Sequence, residues 1–274
     1  MHRIFVLRAY GDFTILLQAL LRSNRKNQYK LVASSHLQSL FISLQQFVNF
    51  DAIQIEFVDF GIDKTLLRFF TNKFFFSPNC IKELQLIKAY LKVNPNKEGQ
   101  DYLEQEKRVT WFNFLIGKNF RHIIEDQNVY NTYDQFLENS IFDNSEKSEE
   151  KHINSNKKLL IFPDSRLPAK NIPTDVLDKI IQDHSNKGHI VQVAYFKFQT
   201  NKHSVSYNNF DELLKMIQDS DFIIGADSLP IHLANLLNKP HLILYPKGFT
   251  QLFITPFALA NQSFGTFEEY KIVL

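Results

Sequence analysis

Residues 223–246 read IIGADSLPIHLANLLNKPHLILYP, and this stretch decides how the chain is interpreted. An apolar run ends at Ala226, a carboxylate and a hydroxyl follow at Asp227 and Ser228, and a second apolar run closes at Pro246. The pattern predicts a buried strand over 222–226, a helix over 231–237 and a strand over 242–245. Pro230 suits the first turn of that helix, where its missing N–H costs nothing. The N–H groups of a helix tip lack intrahelical partners and attract anions. Asp227 and Ser228 at such a tip suit a phosphate, or a hydroxyl-rich ligand beside one.

Two other segments share this strand-then-polar-turn form: RAYGD at 8–12 and PDSRLPAK at 163–170. In the first half, apolar runs at 4–7, 31–33 and 53–58 alternate with helical patterns at 13–21 and 36–47, and a further helix is predicted over 79–93. Residues 143–158, DNSEKSEEKHINSNKK, carry one apolar side chain, Ile153. Such a stretch buries too little to offset its ordering entropy and reads as a linker or loop. The rhythm then restarts, with strands predicted at 159–162 and 190–196 and helices at 174–184 and 211–218. The expected architecture is α/β: a Rossmann-like domain over 1–145, a polar linker over 146–158 and a second Rossmann-like domain over 159–274. Ligands of parallel sheets bind beyond the carboxyl ends of the strands, so the two sheets are expected to face each other across a cleft that the three turns share.

Composition excludes several classes. The chain has 274 residues and a formal charge of +2, with no sustained basic stripe, which argues against nucleic acid as a partner. A single cysteine, Cys80, forbids an internal disulfide and suits a reducing compartment. No Cys/His cluster with zinc spacing occurs, and no apolar run approaches the ~20 residues of a membrane span. The apolar stretch at the N-terminus is too short for a signal peptide and reads as a first strand. The expected location is the cytoplasm, with peripheral attachment to the inner face of the plasma membrane at most.

Each polar turn has a bland and a chemical reading. Asp12 is either the N-cap of the first helix or a carboxylate acting as general base, with Gly11 allowing a close turn. Pro163, Pro168 and Pro173 hold the middle loop extended. Arg166 and Lys170 there are either solvated charges or the cations that neutralise a phosphate. His232 is either a satisfied core histidine or a donor near the ligand.

Taken together, these segments resemble the heptosyltransferases, glycosyltransferase family nine, whose fold is the two-domain GT-B architecture. The likeness is densest at 211–246, where helix, aspartate and strand precede a run similar to the family's G-x-D-[ST]-G-x-x-H-L-A and a Lys-Pro before the last strand. IFVLRAYGDFTILLQAL at 4–20 is similar to the family's opening strand and Gly-Asp, and IFPDSRLPAKNIP at 161–173 to its loop of proline, serine, lysine and proline. The resemblance implies inverting, metal-independent transfer of a heptose or related sugar from a nucleotide diphosphate donor to a lipopolysaccharide or other surface-glycan acceptor, with no cofactor. By position, Asp12 is the general base and Lys170 stabilises the leaving diphosphate. The same resemblance implies that Asp227 binds sugar hydroxyls, that the N–H groups of Ser228 and Leu229 hold a phosphate, and that Ser165 and His232 complete the donor site. The final segment is expected to pack back on the first domain.

The chain departs from the family at Leu229 and Asp164, where glycine is common, and at YFKFQTNK (195–202) in place of a Gly-Gly-Pro turn. These departures favour a changed donor, or the alternative of a non-catalytic nucleotide-sugar-binding or scaffolding homologue. A sugar epimerase or hydrolase on the same fold is a third reading, for which no further acid/base residues can be placed. KTLLRFFTNKFFF at 64–76 reads as a buried element with snorkelling cations or as a basic-aromatic surface for anionic lipid. The aromatic tract at 249–264 is expected to be largely buried.

Overall fold

A computed structural model describes residues 1–6, 9–59, 99–103, 121–123, 128–139, 157–197, 203–249 and 251–272. The helix expected over 79–93, the basic-aromatic tract at 64–76 and nearly all of the polar linker lie outside the described residues. The chain divides into two compact units. One comprises Met1–Ile42, Asn49–Gln127 and Thr132–Asn139, the other Ser43–Val48, Asn128–Asn131 and Ser140–Leu274.

The first unit is built on parallel strands β1 (His2–Val6), β2 (Tyr29–Ser34), β3 (Gln54–Val58), β4 (Asp101–Leu103) and β5 (Arg121–His122), in the order β3-β2-β1-β4-β5. Helix α1 (Tyr10–Arg22) follows β1 and buries Phe13, Ile15, Leu16, Leu17 and Leu20. Helix α2 (Gln38–Leu44) follows β2 after a 3-10 turn at Ser35–Leu37. Helix α3 (Val129–Phe136) begins with residues of the second unit and ends with residues of the first. Aromatic rings supply much of the packing: Phe41 lies 5.2 Å from Phe50 and 5.6 Å from Phe57 between centroids. Between β1 and β4, the Arg3 guanidinium grips Asp101 with two bonds of 2.8 Å, both side chains buried. This planar two-point pairing fixes register as well as charge.

The start of α1 corrects one expectation. Asp12 is not the N-cap: Ala9 holds that position, extended at φ −105°, ψ 142°, and makes no side-chain cap bond. Tyr10 is already helical, so Gly11 lies inside the helix and Asp12 in its first turn, half-buried. A carboxylate there still meets the positive end of the helix dipole.

The second unit carries β6 (Lys158–Phe162), α4 (Thr174–Asn186), β7 (Ile190–Phe196), β8 (Ser204–Tyr207), α5 (Phe210–Gln218), β9 (Phe222–Ala226), α6 (Leu229–Leu236), β10 (His241–Tyr245), α7 (Pro256–Ala260), β11 (Phe264–Thr266) and α8 (Phe267–Ile272). Its strands are parallel in the order β11-β10-β9-β6-β7-β8. Leu159, Ile161, Val193, Ile224 and Leu244 on the strands pack with Val176 and Ile180 of α4 to make the core. The aromatic tract at 249–264 supplies α7 and leads into β11, which pairs with β10. The final segment thus extends the second sheet, with α8 packed on α4.

Chain order runs outward from β6 to β7 and β8, then returns to β9 on its other side. The switch point therefore lies between β6 and β9, where diverging loops leave a crevice in open α/β sheets. The first sheet has the same plan, with its switch between β1 and β4.

Gly225 shows why the β9–α6 turn is tight. A Cβ there would lie 3.0 Å from the Ile231 side chain and 3.3 Å from the Phe162 carbonyl. Gly225→Ala should move α6 by a few tenths of an ångström and cost about 1–2 kcal/mol in urea unfolding. Wild-type stability in that variant would contradict close packing as the reason for the glycine.

His241 is fully buried beneath α7. Its Nδ1–H donates to the Lys239 carbonyl at 2.8 Å, and Nε2 lies 2.6 Å from the Thr255 hydroxyl that caps α7. Burial pulls the imidazole down to about 4; the neighbouring His232 works in the same direction, and the Lys239 carbonyl opposes it. The unfolded chain therefore takes up this proton first as pH falls from about 6.5. Stability should be full above that value, decline toward pH 4 and lose on the order of 3 kcal/mol from this group. His184, also drawn down to about 4 chiefly by burial, titrates in the same window. Urea unfolding at pH 7 and pH 4.5 should show a smaller acid loss for His241→Asn than for wild type; equal losses would exclude His241 as a source.

Candidate functional site

The two loops at the switch of the second sheet meet through one ion pair. After β6, the chain passes Pro163 to a 3-10 turn at Pro168–Lys170. This loop is fastened by Ile172 N–H donating to the Pro163 carbonyl at 2.9 Å and by Ser165 N–H donating to Asn171 Oδ1 at 2.8 Å. After β9, Asp227 and Ser228 lead into α6, with Ser228 at the N-cap and Pro230 in the first turn. Lys170 Nζ donates to Asp227 Oδ2 at 2.5 Å, with 14% of each side chain exposed. The Ser165 hydroxyl lies 3.4 Å from the Asp227 backbone carbonyl, so a side chain of one loop also reaches the backbone of the other.

The second carboxylate oxygen has a different neighbour. His232, one turn into α6 and buried, places Nε2 3.6 Å from Asp227 Oδ1. Its Nδ1 lies 2.8 Å from the hydroxyl of Tyr130, which is also buried. Burial alone would raise the Asp227 carboxyl; His232 and the Lys170 ammonium outweigh it and hold the group at about 2. Asp227 is thus an anion throughout the neutral range, although partly removed from water.

Lys170 is further bounded by aromatic rings. Its Nζ lies 5.3 Å from the Phe249 centroid and 5.6 Å from that of Phe253, distances at which a ring face attracts a cation. Phe253 also stands 6.2 Å from the His232 ring. The tip of α6 offers N–H groups and no side-chain cap, because the Ser228 hydroxyl donates to the Ala226 carbonyl at 3.1 Å. One corner therefore combines a cation, an anion with a fixed orientation and a helix N-terminus, which suits an anionic ligand bearing hydroxyl groups.

Of the residues singled out in the sequence, Ser165, Lys170, Asp227, Ser228, Leu229 and His232 gather at this switch point. Asp12 belongs to the first unit, in the loop-to-helix passage after β1 at that unit's own switch. His232 is a satisfied buried histidine and a neighbour of Asp227 at once, so its two readings are not exclusive. Lys170 spends its ammonium on Asp227 rather than on the exposed Asp164. Asp164 acts instead on Tyr207, whose phenol is pushed up to about 12 by burial first and by that carboxylate second. Among the described residues, no group of three or more His, Cys, Asp or Glu side chains is arranged to hold a metal ion.

Tyr130, Phe249 and Phe253 were not legible as site residues. Tyr130 is distant in sequence and is carried in by Asn128. The Asn128 Oδ1 accepts from Tyr130 N–H at 3.0 Å, and its Nδ2 donates to the Ile254 carbonyl at 2.8 Å. An asparagine just before a helical pattern is a cap signal, but it does not reveal which loop the other half of the amide will hold.

No protein-family model matches the sequence, and no curated protein matches it by sequence. Solved structures do match by shape. Escherichia coli heptosyltransferase WaaC with ADP is similar over 97% of this chain and 92% of its own, with a TM-score of 0.58 and 10% identity. E. coli ADP-heptose lps heptosyltransferase II matches over 97% and 89%, with a TM-score of 0.57 and 11% identity. The glycosyl transferase family 9 protein from Veillonella parvula matches over 99% and 87%, with a TM-score of 0.57 and 13% identity. At such identities the likeness speaks for the fold: the chain has the two-sheet α/β GT-B fold of the heptosyltransferases.

Proposed function

We propose that the protein is a nucleotide-sugar glycosyltransferase. It moves a heptose or related sugar from a nucleotide diphosphate donor to a lipopolysaccharide or other surface-glycan acceptor, with inversion and without a metal or other cofactor. The observation that carries this reading is the meeting of Lys170 and Asp227 at the tip of α6, at the switch point of the second sheet. The solved WaaC structures, which share the fold, hold ADP and ADP-2-deoxy-2-fluoro heptose. A donor of that class needs what this corner offers.

In this reading the donor lies on the second unit, residues 159–274 providing most of its contacts. The N–H groups of Ser228 and Leu229 bind a phosphate, and Ser165 and Lys170 flank the diphosphate. An ammonium has three protons, so Lys170 can hold Asp227 and still donate to a phosphate oxygen as charge builds on the leaving group. Asp227 accepts from sugar hydroxyls, with His232 behind it. Asp12 of the first unit takes the proton of the acceptor hydroxyl, and the displacement inverts the anomeric centre. Among the described residues no helix is long and apolar enough to cross a membrane; we propose a cytoplasmic protein with peripheral membrane contact at most.

Two measurements test the reading. Asp12→Asn should lower kcat by about 10²–10⁴-fold while leaving the melting temperature within a few degrees. Full activity in that variant would remove Asp12 from the role of base. A thermal-shift panel of nucleoside diphosphates and their sugars should show stabilisation by at least one donor, about 2.7 kcal/mol at a hundredfold excess over Kd. Silence across the panel would favour a scaffolding homologue, with Leu229 at the phosphate position as its cause.

A further inference from the structure

We infer that Tyr130 is a positioning residue of the donor site: its hydroxyl donates to His232 Nδ1 and so fixes the imidazole tautomer whose Nε2–H faces Asp227. The inference rests on the reading of Asp227 as the group that binds donor sugar hydroxyls.

The geometry leaves little choice of proton positions. A neutral imidazole has one N–H and one lone pair. Tyr130 and His232 are 1% and 4% exposed, with the phenol oxygen 2.8 Å from Nδ1. If the phenol donates, the ring proton sits on Nε2, which lies 3.6 Å from Asp227 Oδ1. That separation is too long for a full hydrogen bond but short enough for a favourable N–H dipole against an anion. The opposite tautomer would aim a lone pair at the carboxylate. The Asp227 carboxylate therefore selects the Nε2–H tautomer, and the phenol completes the arrangement by donating to the bare Nδ1.

The consequence reaches Asp227. With Lys170 on Oδ2 at 2.5 Å and the imidazole N–H on the Oδ1 side, each carboxylate oxygen has its own partner, and the plane of the group is set. Tyr130 is itself held in place. Asn128 ties the start of α3 to the Ile254 carbonyl, and Phe253 beside it packs near both His232 and Lys170. Tyr130, His232 and Asp227 all belong to the second unit, so the arrangement does not depend on how the two units are disposed.

A buried tyrosine could instead be only a packing residue, and the test separates the two roles. Long-range ¹H–¹⁵N spectra of the histidine side chains, with His232 assigned by its loss in His232→Gln, read the tautomer without any ligand. Wild type should show a protonated Nε2 and a bare Nδ1, and Tyr130→Phe should let the other tautomer or the imidazolium appear. Titration calorimetry should find the affinity of Tyr130→Phe for a nucleoside diphosphate sugar reduced about fivefold, and for the bare nucleoside diphosphate unchanged. A protonated Nδ1 in the wild-type spectrum would overturn the inference without needing any variant to fold. So would wild-type binding that Tyr130→Phe leaves unaltered for both ligands. If wild type binds neither ligand at any concentration tried, the donor-site reading falls first and takes this inference with it.

Discussion

An aspartate that stays charged while largely withdrawn from water is the constraint around which the second unit is arranged. Removing a carboxylate from solvent costs several kcal/mol unless its oxygens are matched by cations or N–H groups. Asp227 has the Lys170 ammonium on one oxygen and His232 on the side of the other. Lys170 in turn depends on a loop fastened by Asn171 and Pro163, and His232 on a tyrosine brought from residue 130. Such a buried pair is a poor source of net stability. Its value is orientation, because a carboxylate held from two sides presents its remaining lone pairs in one direction only.

Sheet topology explains why these groups meet. The loop after β6 and the loop after β9 leave adjacent strands at the point where the winding reverses. Gly225 then lets α6 lie close on its strand, so the helix tip begins immediately beyond the sheet edge. The first unit repeats the plan: β1 and β4 flank its switch, tied by Arg3 and Asp101, and Asp12 rides on the helix that follows β1.

The parts of this arrangement that were legible share a physical cause. β6, β7, β9 and β10 are central or nearly so and buried, and they appear in the sequence as apolar runs bounded by turn residues. β8 and β11, SVSY and FGT, are only half-buried and carry serine or glycine, so no run marks them. The start of α1 differs from the sequence pattern because Gly-Asp after a strand commonly breaks and caps a helix, whereas here helical geometry begins at Tyr10, three residues before the expected Phe13. In the site, Lys170, Asp227 and His232 stood out because charged or titratable groups beside apolar runs are conspicuous. Phe249 and Phe253 did not, since aromatic residues near the end of a strand look the same whether they line a site or fill a core.

Alternation of apolar runs and helical spacing fixes the α/β class, because burying a strand or one face of a helix imposes its own period on the chain. Sequence alone likewise placed a carboxylate, a hydroxyl and a proline at the start of α6, since these depend on neighbours in the chain. The pairing of Lys170 with Asp227, the imidazole between Asp227 and Tyr130 and the aromatic wall around the ammonium were decided only by tertiary structure. They join residues 57 and 102 positions apart. Contacts at that range follow from strand order and loop closure, which no local pattern records.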